Sequence, residues 1–260
     1  MCSAPGDDDG PPAVAAVREE ERTLRAGDGA ALREFVAQPA TGFRRGAVLI
    51  IHDIWGYTDF YKDLARRITG RGHAALLVDF FGRQGDLPES MRAPEKTGSK
   101  PEAVALAMQR AQQLSDERFL ADMQTAVDDL RARGADRVAG WGFCMGGRLA
   151  YIAAARVRGL AGMVAYYGFL QAEPDRLSPL QLAGEIHVPV LGIFGGADPG
   201  ITADQIAAFR DALNTEKELV TYPNAPHGFL RYGTTVDKAA IDDALARTFR
   251  FFGRVLAPPG

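Results

Sequence analysis

The stretch that decides the fold is DRVAGWGFCMGGRLAYIAAARV, residues 136–157. Its first part, up to Phe143, is a continuous apolar run typical of a strand buried on both faces. From Met145 onward the pattern is helical, so Cys144 alone joins the strand to the helix. Glycines lie two positions before and two after Cys144, as a strained turn between closely packed backbones requires. The pattern predicts a nucleophile elbow with the Cys144 side chain above a sheet.

Strand and helix patterns alternate on both sides of this elbow. The apolar runs 46–53 and 73–81 are typical of buried strands, and 58–72 between them has helical periodicity. Further strands are predicted at 136–143, 159–168, 188–195 and 217–223, and further helices at 114–134, 145–157, 202–214 and 235–256. A strand, a helix and a strand in short order form the βαβ unit of a parallel sheet. We therefore predict a doubly wound α/β fold, with its chemistry at the carboxyl ends of the strands.

The N-terminal part has a different pattern. From Glu21, ERTLRAGDGAALREFVAQP is predicted to form two strands joined at Gly27-Asp28-Gly29, which would add an antiparallel edge to the sheet. Residues 1–20 are rich in Gly, Pro, Ala and Asp and are expected to be a flexible tail, which leaves 21–260 as a single folded domain. Residues 82–99 are expected to be irregular.

Composition excludes several classes of function. The 260 residues include 30 basic and 33 acidic ones, a net charge of −3 that gives no reason to expect a nucleic acid as partner. No apolar run approaches the roughly 18 residues that span a bilayer, and the N-terminus does not resemble a secretory signal. The two cysteines, Cys2 and Cys144, predict neither a disulfide framework nor a metal site. A cytoplasmic protein without membrane or metal is expected.

A thiol nucleophile needs a base, and histidine is the usual one. The chain has four histidines. His73 and His187 are at the starts of predicted strands, away from the carboxyl-end face. His227 follows the last predicted strand, and His52 ends the first buried strand on the same face. His227 is therefore the favoured base, with His52 as its rival.

An acid is also needed to orient the base and fix its tautomer. Asp198 directly follows a buried strand in Gly196-Ala197-Asp198-Pro199, although Asp-Pro-Gly is also an ordinary turn sequence. The order Cys144, Asp198, His227 is the order of nucleophile, acid and base in α/β-hydrolases. These three residues are predicted to form a catalytic triad. The backbone N–H of Met145, at the start of the helix, is predicted to be an oxyanion-hole donor.

The sequence disfavours two other functions. A dinucleotide-binding site is disfavoured, because the glycines of Gly140–Gly146 are spaced G-x-G-x-x-x-G and the fingerprint requires G-x-G-x-x-G. A redox sensor based on Cys144 is also disfavoured. The other cysteine, Cys2, is in the tail and is not placed to resolve a sulfenic acid.

The chain resembles the dienelactone hydrolase family, which includes carboxymethylenebutenolidases. The matching segments are spread over residues 46–231. They are His52-Asp53-Ile54-Trp55-Gly56, Val78-Asp79-Phe80-Phe81, Gly142-Phe143-Cys144-Met145-Gly146-Gly147, Gly196-Ala197-Asp198 and His227-Gly228-Phe229-Leu230-Arg231. The resemblance implies an α/β-hydrolase fold.

The resemblance also implies roles for individual residues. Asp53 matches an acidic residue, Glu in many bacterial members, that contacts the resting thiol and helps to generate the thiolate. The N–H of Ile54 would be the second oxyanion donor, and Arg231 would bind a substrate carboxylate, which suits its bidentate geometry. Trp55 and Phe229 would line the substrate pocket, although either could equally belong to the core.

The expected function is hydrolysis of an ester or of a dienelactone-type enol-lactone through an acyl-enzyme on Cys144. A carboxylesterase or thioesterase on the same triad is the alternative. Bacterial dienelactone hydrolases use a second arginine upstream of the elbow helix, for which Arg83 and Arg92 are both candidates. A small-molecule substrate, no cofactor, and a monomer or small homo-oligomer are expected.

Overall fold

The computed structural model describes residues 17–44, 46–86, 100–172, 175–232 and 238–258. These residues form one eight-stranded sheet in the order β1-β2-β4-β3-β5-β6-β7-β8. The strands are β1 (Val17–Arg25), β2 (Ala31–Pro39), β3 (Ala47–Ile51), β4 (Ala74–Val78), β5 (Val138–Phe143), β6 (Leu160–Tyr166), β7 (Val190–Gly195) and β8 (Lys217–Tyr222). β2 pairs antiparallel with β1 and with β4, and the remaining neighbours pair in parallel. The predicted fold, a mostly parallel sheet with an antiparallel N-terminal edge, is confirmed.

Helices connect the parallel strands. They are α1 (Asp59–Thr69), α2 (Pro101–Gln113), α3 (Asp116–Ala132), α4 (Met145–Arg156), α5 (Pro179–Leu182), α6 (Ala203–Ala212), α7 (Phe229–Tyr232) and α8 (Lys238–Val255), with short 3-10 turns at Gly82–Gln84 and Ala183–Glu185. Two helix starts are fixed by side chains: Ser115 accepts a hydrogen bond from the Arg118 N–H, and Thr202 forms a capping box with Gln205. No helix in the described ranges is both long and apolar enough to cross a bilayer.

Two details differ from the sequence prediction. β1 begins at Val17, so Val17–Glu20, assigned to the tail, pair with β2. Residues 1–16 lie outside the described residues. The sequence does not predict helix α2, because its buried positions are two alanines and an arginine, which do not mark a buried face. Its start is marked by Pro101 at the first helical position, where a missing N–H costs nothing.

The outer strand β1 is almost entirely exposed and strongly charged. Its sequence, VREEERTLR, places three consecutive glutamates on the edge of the sheet. Two of them are paired with helix α1: Glu19 with Arg66, at 2.8 Å, and Glu21 with Lys62, at 2.5 Å. The hairpin is thereby fixed to the layer of helices that covers one face of the sheet.

The central strands bring the elbow and its neighbours to one edge. β3, β5 and β6 lie side by side, and their residues in the sheet are almost fully buried. Because parallel strands end at the same edge, the loops that follow β3, β5, β6, β7 and β8 meet there. This edge carries the candidate site.

Candidate active site

Cys144, His227 and Asp198 form a continuous hydrogen-bonded chain at this edge. Nε2 of His227 lies 3.0 Å from the Cys144 Sγ, and Nδ1 lies 2.6 Å from Oδ2 of Asp198. The other carboxylate oxygen of Asp198 accepts a hydrogen bond from the Gly200 N–H at 2.9 Å. The Asp198 side chain is buried, whereas 30% of the His227 side chain is exposed. The structure thus brings the three predicted triad residues together from the ends of β5, β7 and β8.

The elbow is strained in the way that its glycines predict. Cys144 has a φ of 55°, which is rare for a residue other than glycine. A Cβ on Gly142 would lie 2.1 Å from the Gly146 carbonyl oxygen, and a Cβ on Gly146 would lie 2.3 Å from the carbonyl oxygen of Ile51. The elbow helix therefore packs directly against the end of β3. This contact brings the start of the helix, at Met145, close to the loop that contains Ile54. The N–H groups of these two residues are the predicted oxyanion donors.

The imidazole of His227 is surrounded by groups that favour its charged form. Burial lowers the pKa of His227, but the hydrogen bonds with Asp198 and Cys144 and the negative charges of these two groups outweigh it. The net effect raises the pKa of His227 to about 10. A protonated ring facing Sγ is the partner that a cysteine thiolate requires.

The rival base, His52, is fully buried and already bonded on both ring nitrogens. Nδ1 donates to the Asp53 carbonyl oxygen at 2.8 Å, and Nε2 accepts from the Phe80 N–H at 3.2 Å. Burial lowers the pKa of His52, so the neutral ring is favoured. His52 therefore holds the β3 loop against the end of β4 and has no ring nitrogen left for the thiol.

Asp53 and Arg231 form a buried ion pair beside the triad. Nη1 of Arg231 donates to Oδ2 of Asp53 at 2.9 Å, and Nη2 donates to the Thr58 hydroxyl at 3.2 Å. The other Asp53 oxygen accepts from the Trp55 N–H at 2.9 Å. The resemblance implies that Asp53 contacts the resting thiol. In the structure the Asp53 carboxylate instead binds Arg231, and the thiol is hydrogen-bonded with His227. Sequence reasoning missed this pairing, because 178 positions separate the two residues.

The two predicted pocket aromatics are both buried. Trp55 packs against Ala103 and Ala107 of helix α2, and its Nε1 donates to the Tyr232 hydroxyl at 2.7 Å. Phe229 is completely buried among tyrosine rings, with centroids 5.7–6.3 Å away. Phe229 thus belongs to the core, the second of the two roles considered for it. Trp55 fixes α2 over the loop that follows β3.

Of the two candidates for a second arginine, Arg83 lies elsewhere. Its guanidinium binds Asp122 of α3 at 2.6 and 2.9 Å and Asp28 of the hairpin turn at 2.9 and 3.0 Å. It therefore links two elements of the scaffold. Arg92 lies outside the described residues. Within the described part of the chain, no group of three or more His, Cys, Asp or Glu side chains is arranged to hold a metal ion.

Two aromatic residues that the sequence did not single out contact the His227 ring. The ring of Phe169 stacks on it at a centroid distance of 5.2 Å and an interplanar angle of 20°. Tyr167 approaches at the same distance with an angle of 59°. Both follow β6 in Tyr166-Tyr167-Gly168-Phe169. The sequence offers no signal for this contact beyond the position of the segment at the carboxyl end of a strand.

Comparison with known proteins identifies the family. A model of the dienelactone hydrolase family matches residues 32–256. The chain belongs to the dienelactone hydrolase family. It is accordingly a hydrolase that acts on ester and lactone bonds.

Individual members of the dienelactone hydrolase family are similar over most of their length. A protein of Saccharolobus solfataricus, provisionally named a carboxymethylenebutenolidase, is 31% identical over 256 residues, which is 88% of this chain and 96% of that protein. A crystal structure from Klebsiella pneumoniae, provisionally described as a dienelactone hydrolase, has a TM-score of 0.79 and 28% identity and covers 92% of this chain and 99% of its own. The predicted fold and reaction class are confirmed by these similarities.

Proposed function

We propose that the chain hydrolyses a carboxylate-bearing unsaturated lactone by nucleophilic catalysis on Cys144, with His227 as acid and base and Asp198 as the residue that orients it. The observation that carries this proposal is the continuous chain from Sγ through the imidazole to the buried carboxylate, with contacts of 3.0 and 2.6 Å. A base within hydrogen-bond distance of a nucleophile, itself oriented by a third group, is the arrangement that acyl transfer needs.

The reaction begins from a Cys144 thiolate that faces a protonated His227, whose Nε2 carries the proton of the thiol. The thiolate attacks the substrate carbonyl carbon, a C–S bond forms, and the carbonyl oxygen becomes an oxyanion. The N–H groups of Met145 and Ile54 are proposed to stabilise that charge. When the C–O bond breaks, His227 gives its proton to the leaving oxygen. The neutral imidazole then takes a proton from water, and the hydroxide attacks the thioester carbon. The C–S bond breaks, the acid leaves, and the thiolate faces the imidazolium again.

The guanidinium of Arg231 favours a substrate that itself carries a carboxylate. Arg231 has a fork of donors that fits a carboxylate, and one side of that fork now holds Asp53. A substrate carboxylate could take the place of Asp53 on this fork. A relative from Bradyrhizobium, 31% identical over 205 residues, is provisionally named a 2-oxo-3-(5-oxofuran-2-ylidene)propanoate lactonase. That name describes an unsaturated lactone with a carboxylate.

A general carboxylesterase on the same triad is the second candidate. It is favoured by the pairing of Arg231 with Asp53, since a cation already neutralised by a buried carboxylate places no demand on the charge of the substrate. Both candidates need a reduced thiol, which the cytoplasm would maintain.

The test compares a dienelactone with p-nitrophenyl acetate as substrates for the wild type and for Cys144→Ala. Cys2→Ala, which removes the chain's other cysteine, is the matched control. We expect both activities to fall at least a thousandfold in Cys144→Ala and to be unchanged in Cys2→Ala, as removal of a triad member generally costs that much. A large preference for the dienelactone supports the lactonase, and equal rates support the carboxylesterase. Activity that survived in Cys144→Ala would refute the nucleophile.

A further inference from the structure

The imidazole of His227 is in contact with two aromatic rings from one three-residue segment. Phe169 lies nearly parallel to it, and Tyr167 is tilted against it, each with a centroid distance of 5.2 Å. The hydrogen bond to Asp198 fixes one ring nitrogen. It leaves the ring able to tilt about the axis that joins its two nitrogens. A flat side chain stacked on the face of the imidazole limits that tilt.

The position of the segment is fixed by two close backbone contacts. A Cβ on Gly168 would lie 2.5 Å from the carbonyl carbon of Gly147 in the elbow helix, so the segment packs directly on that helix. A Cβ on Gly200 would lie 2.7 Å from Cε1 of Phe169. Gly200 is also the residue whose N–H binds the Asp198 carboxylate. Phe169 therefore fits into a space that only a glycine at position 200 leaves open.

The backbone of the segment is strained, and the packing maintains it. Tyr167 has a φ of 40°, which residues other than glycine rarely adopt. Its backbone N–H donates to the Ile193 carbonyl oxygen at 2.7 Å. Such strain costs of the order of 1–3 kcal/mol and persists where the surroundings enforce it, commonly at functional sites. The same conformation directs both aromatic side chains toward His227.

We propose that Phe169 is a positioning residue whose ring, held by the space at Gly200, keeps the His227 imidazole in the plane that joins Asp198 to Cys144. The inference rests on the proposed role of His227 as acid and base. The face of an aromatic ring also attracts a cation, so the contact stabilises the imidazolium over the neutral ring. The titratable groups that face the ring are Asp198, Cys144 and Tyr167, all of which remain in place when Phe169 is changed.

The test measures the alkylation of Cys144 by iodoacetamide as a function of pH, in a Cys2→Ala background. Phe169→Leu keeps an apolar side chain but removes the aromatic face, and Phe169→Tyr keeps the face. The alkylation rate should change in a step where the imidazolium loses its proton, near pH 10 in the wild type. In Phe169→Leu we expect that step to move down by about 0.5–1 pH unit, the equivalent of a cation–π contact, and the rate at pH 7 to stay the same because the ring is protonated there in both proteins. Above the step the imidazole is neutral in both proteins, and the rates should converge. Phe169→Tyr should behave as the wild type.

Two further variants separate positioning from general destabilisation. Gly200→Ala should displace the Phe169 ring and reproduce the effect of Phe169→Leu, and the double variant should add little to either change. Phe249→Leu alters another half-buried phenylalanine, on helix α8, and should leave the alkylation profile unchanged.

Alkylation needs no ester substrate, so this test is separate from the test of the proposed function. A wild type that hydrolyses no ester but shows the expected shift in Phe169→Leu would overturn the proposed reaction and leave the positioning role intact. An active wild type whose alkylation profile is the same in Phe169→Leu, or equally altered in Phe249→Leu, would overturn the positioning role.

Discussion

Gly146 lies in the first turn of the elbow helix, against the carbonyl oxygens of Ile51 and His52, which a Cβ would approach to 2.3 and 2.4 Å. Neither oxygen is the mobile end of a side chain, so the helix or the end of β3 must move. We predict that Gly146→Ala lowers the free energy of unfolding by about 2 kcal/mol or more and nearly abolishes ester hydrolysis. Urea denaturation and an activity assay on the soluble fraction measure the two effects.

Gly253, in the last turn of α8, is the control for this substitution. It has nothing within 4 Å of an added Cβ, and its φ is not positive. Gly253→Ala should therefore stabilise the protein by about 0.5–1 kcal/mol and leave activity unchanged, because alanine loses less backbone entropy in a helix. If the two substitutions had the same effect on stability, backbone entropy and not the lack of space would explain the effect of Gly146→Ala.

The charge of His227 predicts a pH dependence. The pKa of this ring is raised from 6.5 to about 10, so the stability gained from the imidazolium is complete below pH 6.5 and is lost as the pH rises through 10. Asp198→Asn removes one of the two groups that hold the proton. In that variant the pKa of His227, followed by NMR, should be lower, and the loss of stability should occur at lower pH. An unchanged pKa would show that Asp198 does not act on the ring electrostatically.

The sequence predicted these residues unequally, for a physical reason. The triad could be predicted because a nucleophile between glycines, an Asp after a strand and a His after the last strand each follow from local chain geometry. The pairing of Asp53 with Arg231 and the contact of Phe169 with His227 depend on side-chain directions in the folded molecule. The sequence does not exclude His52 as the base, because the bond from the Phe80 N–H that occupies its ring forms only where the ends of two strands meet in the folded molecule.

At the scale of helices, the elbow helix is attached to α3 by a buried carboxylate. Asp116 accepts hydrogen bonds from Arg148 at 3.0 and 2.5 Å and from the Leu177 N–H at 2.7 Å. Removal of one partner of a buried pair leaves a charge without compensation. Asp116→Ala should therefore destabilise the protein by about 3–5 kcal/mol, measured by chemical denaturation.

An exposed ion pair of the elbow helix, α4, provides a control for Asp116→Ala. Arg156 of α4 pairs with Glu185, and both side chains of this pair are largely exposed. Because exposed ion pairs contribute little, Glu185→Ala should leave stability nearly unchanged. The pair at Asp116 also makes stability depend on pH. Burial raises the pKa of Asp116, but the bonds from Arg148 and Leu177 outweigh it and lower the pKa overall. The stability from Asp116 is thus present above pH 3.8 and is lost as the pH falls below that value.

Most elements could be predicted from their periodicity, and α2 shows where this fails. In α2 the residues that face the protein are Ala103, Ala107 and Arg110. Two alanines and an arginine do not mark a buried face in the sequence. The helix is held by Trp55, which belongs to a distant loop, and no local pattern contains that contact.

At the scale of the whole molecule, one buried acid links stability to pH. Glu34 of β2 is fully buried, and its Oε2 has no hydrogen-bond partner among the described residues. Burial, and then the charge of Asp129, raises its pKa from 4.5 to about 7. The folded protein therefore keeps a proton that the unfolded chain releases. Stability should fall on the order of 3 kcal/mol as the pH rises from 4.5 to 7.

Glu34→Gln tests this dependence, because it keeps the shape of the side chain without the charge. We expect the variant to equal the wild type near pH 4 and to exceed it in free energy of unfolding at pH 8, measured in urea at both pH values. A variant less stable than the wild type at pH 8 would mean that the ionised carboxylate, through Arg133 and Arg22, stabilises the fold.

The charged outer strand also has a consequence for how the molecule behaves in a crowded solution. An open sheet edge can template the addition of a strand from another chain and so begin an aggregate. On β1, an incoming strand would meet Glu19, Glu20 and Glu21, and two of these are tied to α1. The hydrogen bond with Arg66 lowers the pKa of Glu19; Lys62 and Tyr57 lower that of Glu21 despite its partial burial. The edge therefore keeps its charge, and its resistance to intermolecular pairing, into mildly acidic solution.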